Sequence, residues 1–242
     1  MSHTTRNHIV RFLILAGLLL TTALHADAGL IIRVDDLSTG LTPDIEVADG
    51  DLDDLFAPAG MVTVAQTILP NGQTVSISAV SVPLTGPGPK LDLVSLAISG
   101  PTTGTLRISA TNTGFISPLT PDTVFSSAIG GTTDGSISAA AYIDSGDGEF
   151  ATSTLVHDYG TMFGPDFSDS STDLLTTPGS PFSMTLVVDV THDDPFDVTS
   201  FDFVMEANDD DIVPEPGTLV LSIAGLAMFS TFYARRRRAG RR

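Results

Sequence analysis

The chain has 242 residues, a formal net charge of −18, no cysteine and no tryptophan. The missing thiol excludes cysteine nucleophiles, Cys-ligated zinc, iron–sulfur clusters and disulfides. The acidic excess excludes nucleic acid and anionic lipid as partners of the folded part, by like-charge repulsion.

Charge is segregated along the chain. Eight of the 11 Lys and Arg lie at the two ends: Arg6 and Arg11, then Arg235, Arg236, Arg237, Arg238, Arg241 and Arg242. Only Arg33, Lys90 and Arg107 remain between residues 30 and 212. Of the 29 acids, Asp27 and Glu215 alone fall outside that stretch, so the body sets three cations against 27 acids, a formal −24.

At the N-terminus, Arg6 and Arg11 precede an apolar run, FLILAGLLL, from Phe12 to Leu20. Ala26-Asp27-Ala28 follows as an A-x-A pattern. A positive start, a short apolar core and small residues at the end predict a secretory signal peptide over residues 1–28, cleaved after Ala28. His3, His8 and His25 leave with it.

Residues 29–206 predict strands throughout. Period-two alternation places Leu106, Ile108 and Ala110 on one face, Ile137, Ala139, Ala141 and Ile143 on another, and Phe182, Met184, Leu186, Val188 and Val190 on a third. Phe201, Phe203 and Met205 alternate in the same way. Val75, Ile77 and Ala79 alternate and then slip to Val80 and Val82, which predicts a bulge there. Further strands are expected over residues 30–34, 61–69, 91–99, 124–129 and 152–157. The total is roughly ten. Turn signals divide them, among them Pro70-Asn71-Gly72, Gly100-Pro101, Gly130-Gly131 and Gly146-Asp147-Gly148. One apolar face per strand predicts an antiparallel β-sandwich, with a barrel as the lesser alternative. Residues 158–181 read as a Ser/Thr/Asp-rich surface excursion, and residues 207–213 as a polar linker.

Candidate sites in the body are few. Asp49, Asp51 and Asp53 alternate around Gly50 and could direct oxygens at calcium. EF-hand spacing is absent: Asp54 and Gly60 stand where that loop needs Gly and Glu. The competing reading, and the favoured one, is a solvated acidic loop. Asp144, Asp147 and Glu149 form a weaker cluster of the same kind, and Asp209, Asp210 and Asp211 a weaker one still. His157 and His192 are expected at exposed strand ends, with no paired-His spacing for zinc. No G-x-S-x-G elbow or phosphate-cradling glycine loop occurs. The lack of Trp and the three Tyr argue against a sugar cleft built on aromatic platforms, so no catalytic residue is assigned and the chain is expected not to be an enzyme.

The last thirty residues have three parts in strict order. Pro214, Glu215 and Pro216 come first, an apolar run over residues 217–233 second, and the arginine cluster last. As a helix the run of 17 residues spans roughly 25 Å, slightly short of a bilayer's hydrocarbon core. Only a helix satisfies its backbone in lipid. Arg235, Arg236, Arg237 and Arg238 act as a cytoplasmic stop, which leaves everything before Pro214 outside. This order resembles the PEP-CTERM sorting signal of bacterial exported proteins, over residues 214–242 only. The resemblance implies a transient membrane anchor, an exosortase-type membrane protease as partner, cleavage at Pro214–Glu215–Pro216, and release or re-attachment of the body. It also implies a cell surface rich in extracellular polysaccharide, a candidate partner. Two functions follow as expectations: a non-catalytic surface or matrix protein, or a calcium-dependent adhesion or carbohydrate-binding module.

Overall fold

The computed structural model describes residues 29–39, 43–55, 58–82, 88–116, 122–176 and 181–209. The signal peptide with Ala26 and Ala28, the sorting residues Pro214, Glu215 and Pro216, the apolar run and the arginine cluster lie outside them.

Every regular element among the described residues is a strand. They are β1 (Leu30–Asp36), β2 (Ile45–Ala48), β3 (Met61–Ile68), β4 (Thr74–Val82), β5 (Lys90–Ser99), β6 (Gly104–Phe115), β7 (Asp122–Thr133), β8 (Ser136–Asp144), β9 (Thr154–Phe163), β10 (Asp166–Thr176), β11 (Phe182–His192) and β12 (Val198–Asp209). Two antiparallel six-stranded sheets result, ordered β2-β1-β6-β11-β8-β9 and β10-β7-β12-β5-β4-β3. From β5 to β12 the chain passes between the sheets in the order of an eight-stranded jelly roll. The β1–β2 hairpin widens one sheet and the β3–β4 pair widens the other.

The alternation seen in the sequence is what builds the core. Ile32, Val34, Ile108, Ala110, Leu186 and Val188 face inward from one sheet, and Val75, Ile77, Leu91, Leu93, Phe125 and Phe203 from the other. All are buried in one cluster. The two sheets are stitched by polar and aromatic contacts as well. Tyr159 on β9 meets Phe203 on β12 edge-on, with ring centroids 5.7 Å apart. Its hydroxyl lies 2.8 Å from Ser127 Oγ on β7.

Twelve strands replace the ten expected, and the two additions are instructive. β2 is only four residues long, too short to announce a period. β10 occupies much of the stretch read as a surface excursion, and β9 extends into it. Both are edge strands, one in each sheet. Phe167 is the one buried side chain of β10, and the rest of that strand is Ser, Thr, Asp and Leu at partly or fully exposed positions. Edge strands need only one contact row and are commonly protected by charge, so polarity hid a strand here.

The expected bulge at Ala79–Val80 lies elsewhere. β4 keeps its alternation through Ser81, which takes an inward position and accepts a hydrogen bond from Asn112 Nδ2. The extra residue sits in β5: Ser76 pairs Ala97 but Ile77 pairs Ser95, which leaves Leu96 unopposed and exposed. The linker boundary at residue 207 also shifts. Ala207 is fully buried, its amide donates to Pro89 O at 2.9 Å, and β12 continues to Asp209.

Neither histidine is at an exposed strand end. His157 lies inside β9, half-buried, 3.4 Å from Asp173 and edge-on to Tyr159. His192 is buried, and its Nε2 lies 2.9 Å from Thr199 Oγ1, which in turn bonds Thr133. Burial lowers the His192 pKa, against the opposing pull of Asp197, Asp134 and Asp193. A depressed folded-state pKa means the unfolded chain takes up this proton first. The stabilisation is complete above the unfolded value of about 6.5 and is lost as pH falls through the lower folded value. Urea unfolding at pH 7.5 and 5.5 is expected to show a lower stability at 5.5, and His192→Gln to reduce that difference. Equal pH dependence in both proteins would show that another group is responsible.

Candidate functional site

The outward side chains of the first sheet can be followed from strand to strand by register. One row runs Glu46, Arg33, Ser109, Val187, Ala140 and Asp158. The row on one side of it holds Asp35, Arg107, Asp189 and Ser138. The row on the other side holds Thr111, Thr185 and Tyr142. Small side chains in the middle, with long ones around them, leave a groove. Its main depression, of about 380 Å³, is lined by Arg33, Asp35, Arg107, Tyr142 and Phe150 over a floor that includes Ser109, Thr185 and Val187. A smaller one of about 170 Å³ shares Arg107, Tyr142 and Val187 and reaches Asp158 and Asp189. The larger volume falls in the range of small-ligand clefts, roughly 300–1,000 Å³.

Two of the three cations of the body are in this groove, and both are held in place. Arg107 forms a two-pronged pair with Asp189, Nε to Oδ1 and Nη2 to Oδ2, each at 2.8 Å. That pairing raises the Arg107 pKa further. Arg33 donates from Nε and Nη2 to Glu46 Oε2 at 2.9 and 2.6 Å. Its guanidinium also lies 3.9 Å from the centroid of the Phe150 ring, a cation–π contact. The pairs are part-exposed, so each adds about 1 kcal/mol or less to stability. Their consequence is geometric: planar donors are fixed along the groove.

Asp35 is the unusual member. It is only 7% exposed, and its Oδ1 is buried without a hydrogen-bond partner. Its register partner is Arg107. Burial raises its pKa, opposed by Arg33 and Arg107 and reinforced by Asp44. An acceptor left unsatisfied in this way costs about 1–3 kcal/mol.

Phe150 reaches the groove from the β8–β9 connection with a left-handed backbone, φ 50°, as does Asp147 at φ 57°. Non-glycine residues hold that conformation only where surroundings impose it. Here the acids impose it. Asp144 accepts from Gly148 N at 2.9 Å and from Ser153 Oγ at 2.6 Å. The Ser153 and Gly148 bonds hold its pKa below the ordinary carboxylate value. Asp147 accepts from Gly114 N at 2.7 Å. The Asp144–Glu149 cluster therefore pins a loop.

The Asp49 loop, which follows β2, is arranged in the same manner. Asp49 Oδ2 accepts from Gly60 N at 2.6 Å, Asp51 Oδ2 from Ala48 N at 2.9 Å, and Asp54 Oδ1 from Thr63 N at 3.0 Å. Asp53 is exposed. Among the described residues no three His, Asp or Glu side chains are grouped as a metal ion would require. Side-chain carboxylates capping nearby amides are the ordinary work of Asp in turns.

Asp35, Tyr142 and Phe150 carry no local signal in the sequence, where Arg33 and Arg107 stand out only as residual charge. The signal available was their rarity: of three cations in the body, two stand at outward positions of the neighbouring strands β1 and β6.

Fold and groove together define a two-sheet antiparallel β protein with a polar recess on the outer face of its first sheet. Beyond that body, residues 213–238 match the PEP-CTERM protein-sorting motif, which carries export, membrane anchoring and exosortase-dependent sorting to the cell surface. Pro214, Glu215, Pro216 and the run Arg235, Arg236, Arg237 and Arg238 fall within the match. No curated protein matches the chain. Among solved structures it is similar to the enzymatically active domain of tailspike protein 4 of bacteriophage CBA120, at 13% identity over 61% of this chain, with a TM-score of 0.31. The chain covers 19% of the length of that tailspike. It is also similar to the K3 cleaved adhesin domain of Lys-gingipain from Porphyromonas gingivalis, at 13% identity over 63% of this chain and 92% of that one, TM-score 0.27. A cyclase from Fischerella sp. TAU gives 10% identity over 62% and 85%, TM-score 0.32. Likenesses this distant assign neither ligand nor activity.

Proposed function

We propose that this chain is a non-catalytic component of the bacterial cell surface or extracellular matrix. It is delivered by the signal peptide of residues 1–28, anchored for a time by residues 217–233, and cut by an exosortase-type protease at Pro214–Glu215–Pro216. The match over residues 213–238 carries this reading. The acidity of the body supports it: a formal −24 between residues 30 and 212 keeps the domain soluble outside the cell and away from anionic lipid.

The test is intact-mass spectrometry of the surface fraction from an exosortase-encoding bacterium, the same strain without its exosortase, and a variant with Pro214, Glu215 and Pro216 all changed to Ala. The first is expected to give a product beginning at Gly29 and ending within or close to the Pro-Glu-Pro triplet. The other two are expected to retain the arginine tail. One mass shared by all three would overturn the assignment.

The carbohydrate-binding alternative gains from one observation: the recess that Arg33, Asp35, Arg107, Tyr142 and Phe150 line. Its calcium-dependent form rests on Asp49, Asp51 and Asp53, the first two of which are already bonded to backbone amides.

A further inference from the structure

We propose that the outer-face groove is a binding site for a neutral polysaccharide chain, gripped by Asp35, Arg33, Arg107, Tyr142 and Phe150. The inference rests on the surface reading above, since a protein sorted to the surface meets surface polymers.

The ligand class follows from what the groove offers. Asp35 presents a buried carboxylate oxygen with no donor. Asp35 lines the groove with the small part of its side chain that is exposed, and a rotation bringing Oδ1 to the groove surface would let a ligand hydroxyl supply the missing O–H, a strong bond where the acceptor is charged. Arg33 and Arg107 carry five N–H donors each, of which two are used by carboxylates. The remainder can meet hydroxyl and ring oxygens. Tyr142 and Phe150 stand at the wall, with apolar ring surface for the C–H face of a sugar. Donors, an acceptor and aromatic surface in one recess match a molecule that carries hydroxyls of both roles on an apolar ring.

Other classes fit less well. An anion finds both guanidiniums already neutralised by Glu46 and Asp189, with Asp35 and Asp158 beside them. A cation meets two fixed arginines. A purely apolar ligand would leave Asp35 orphaned and strip water from the arginines. The groove runs from β1 to β8, three strand spacings or roughly 14 Å, and continues towards Asp158 on β9. That length exceeds one sugar ring, so a chain is the fitting occupant.

The buried carboxylate also separates function from stability. As pH rises through a raised folded-state pKa, an ionised Asp35 costs the empty protein stability. Asp35→Asn removes that charge at nearly constant shape. It is expected to melt no lower than the parent at pH 7 and yet bind worse, the pattern of a group retained for its ligand.

The experiment is titration calorimetry on the full chain in a zwitterionic, sugar-free detergent, so that the result does not depend on tail processing. The probes are neutral hexasaccharides of glucose, mannose, galactose and xylose, with hexagalacturonate as the anionic control. At least one neutral hexasaccharide is expected to bind. Asp35→Asn and Tyr142→Ala should each weaken it at least tenfold, and hexagalacturonate should not bind. No heat from any neutral probe would overturn the proposal. So would parent-like affinity in the Asp35→Asn protein, or tighter binding of hexagalacturonate. Shortening of the bound hexasaccharide would keep the site and overturn the non-catalytic reading. A failure of tail cleavage with intact binding would do the reverse, removing the sorting claim alone.

Discussion

Phe203→Ala is expected to lower the stability of the body by about 3–5 kcal/mol, the usual range for emptying a buried phenylalanine site. Phe203 is fully buried on β12, the third strand of its sheet counted from β10, and its register partner is Leu93 on β5. It is also where the two sheets meet, since Tyr159 of the opposite sheet packs edge-on against it. Alanine removes the ring from both neighbourhoods at once. Tyr159 is tied by its hydroxyl to Ser127, so it cannot swing freely into the space, and the cavity stays largely open. For a domain of this size each kcal/mol moves Tm by roughly 2–4 °C, so a fall on the order of 10 °C is expected in a thermal scan. A shift within 2 °C, at the precision of such a scan, would mean that the sheets repack around the hole. Loss of surface-displayed protein should accompany the fall, because an exported chain that opens more often is exposed to proteases.

Gly131→Ala should cost about 3 kcal/mol, the upper part of the ordinary range for forcing extra atoms into packed structure. A Cβ at Gly131 would lie 2.1 Å from Ser200 O and 2.8 Å from Phe201 Cα, both backbone atoms of neighbouring β12. It would also meet Phe167 Cζ at 2.9 Å, the ring tip of the residue paired with Gly131 across from β10. Backbone cannot rotate away as a side chain can, so β7 must part from β12. Gly130 provides the internal control. A Cβ there meets nothing closer than Phe167 O at 3.6 Å, an ordinary contact. Gly130→Ala is therefore expected to change stability by about 0.5 kcal/mol or less. Chemical denaturation of the two variants decides the matter. Equal losses would attribute the effect to the glycines' backbone freedom, and the close approach of β12 would then not be its cause.

The contrast between these adjacent glycines shows why part of the fold was legible and part was not. Gly130-Gly131 reads in sequence as a turn signal, yet both residues lie inside β7. Glycine is there because strand β12 and the ring of Phe167 come close, and both belong to distant parts of the chain. The bulge has the same lesson. The slip of Val75, Ile77 and Ala79 to Val80 suggested a break in β4, but Ser81 fills the inward place and the extra residue is Leu96 in β5. A small serine can occupy a core position when a partner such as Asn112 satisfies its hydroxyl, and hydropathy alone does not register that.

The recess on the outer face was less legible than the core. Core residues announce themselves by period two, because each must be apolar wherever its strand lies. Groove residues follow no period. Asp35, Arg107 and Asp189 come from β1, β6 and β11, and their adjacency exists only through the pairing of those strands. The acidic clusters gave the opposite signal. Asp49, Asp51, Asp144 and Asp147 were conspicuous in the sequence, and in the fold their carboxylates serve backbone amides.

The sequence by itself determined the sorting motif, the all-β class and most of the inward-facing side chains, because each is encoded locally: an ordered triplet, apolar run and arginine block, or an alternation within a few residues. Tertiary structure alone decided the jelly-roll strand order, the edge positions of β9 and β10, and the recess around Asp35. Each of these depends on which strand lies beside which, and that is set by burying two sheets against each other across long separations in sequence, such as the 84 residues between Gly29 and Thr113, which share a hydrogen bond.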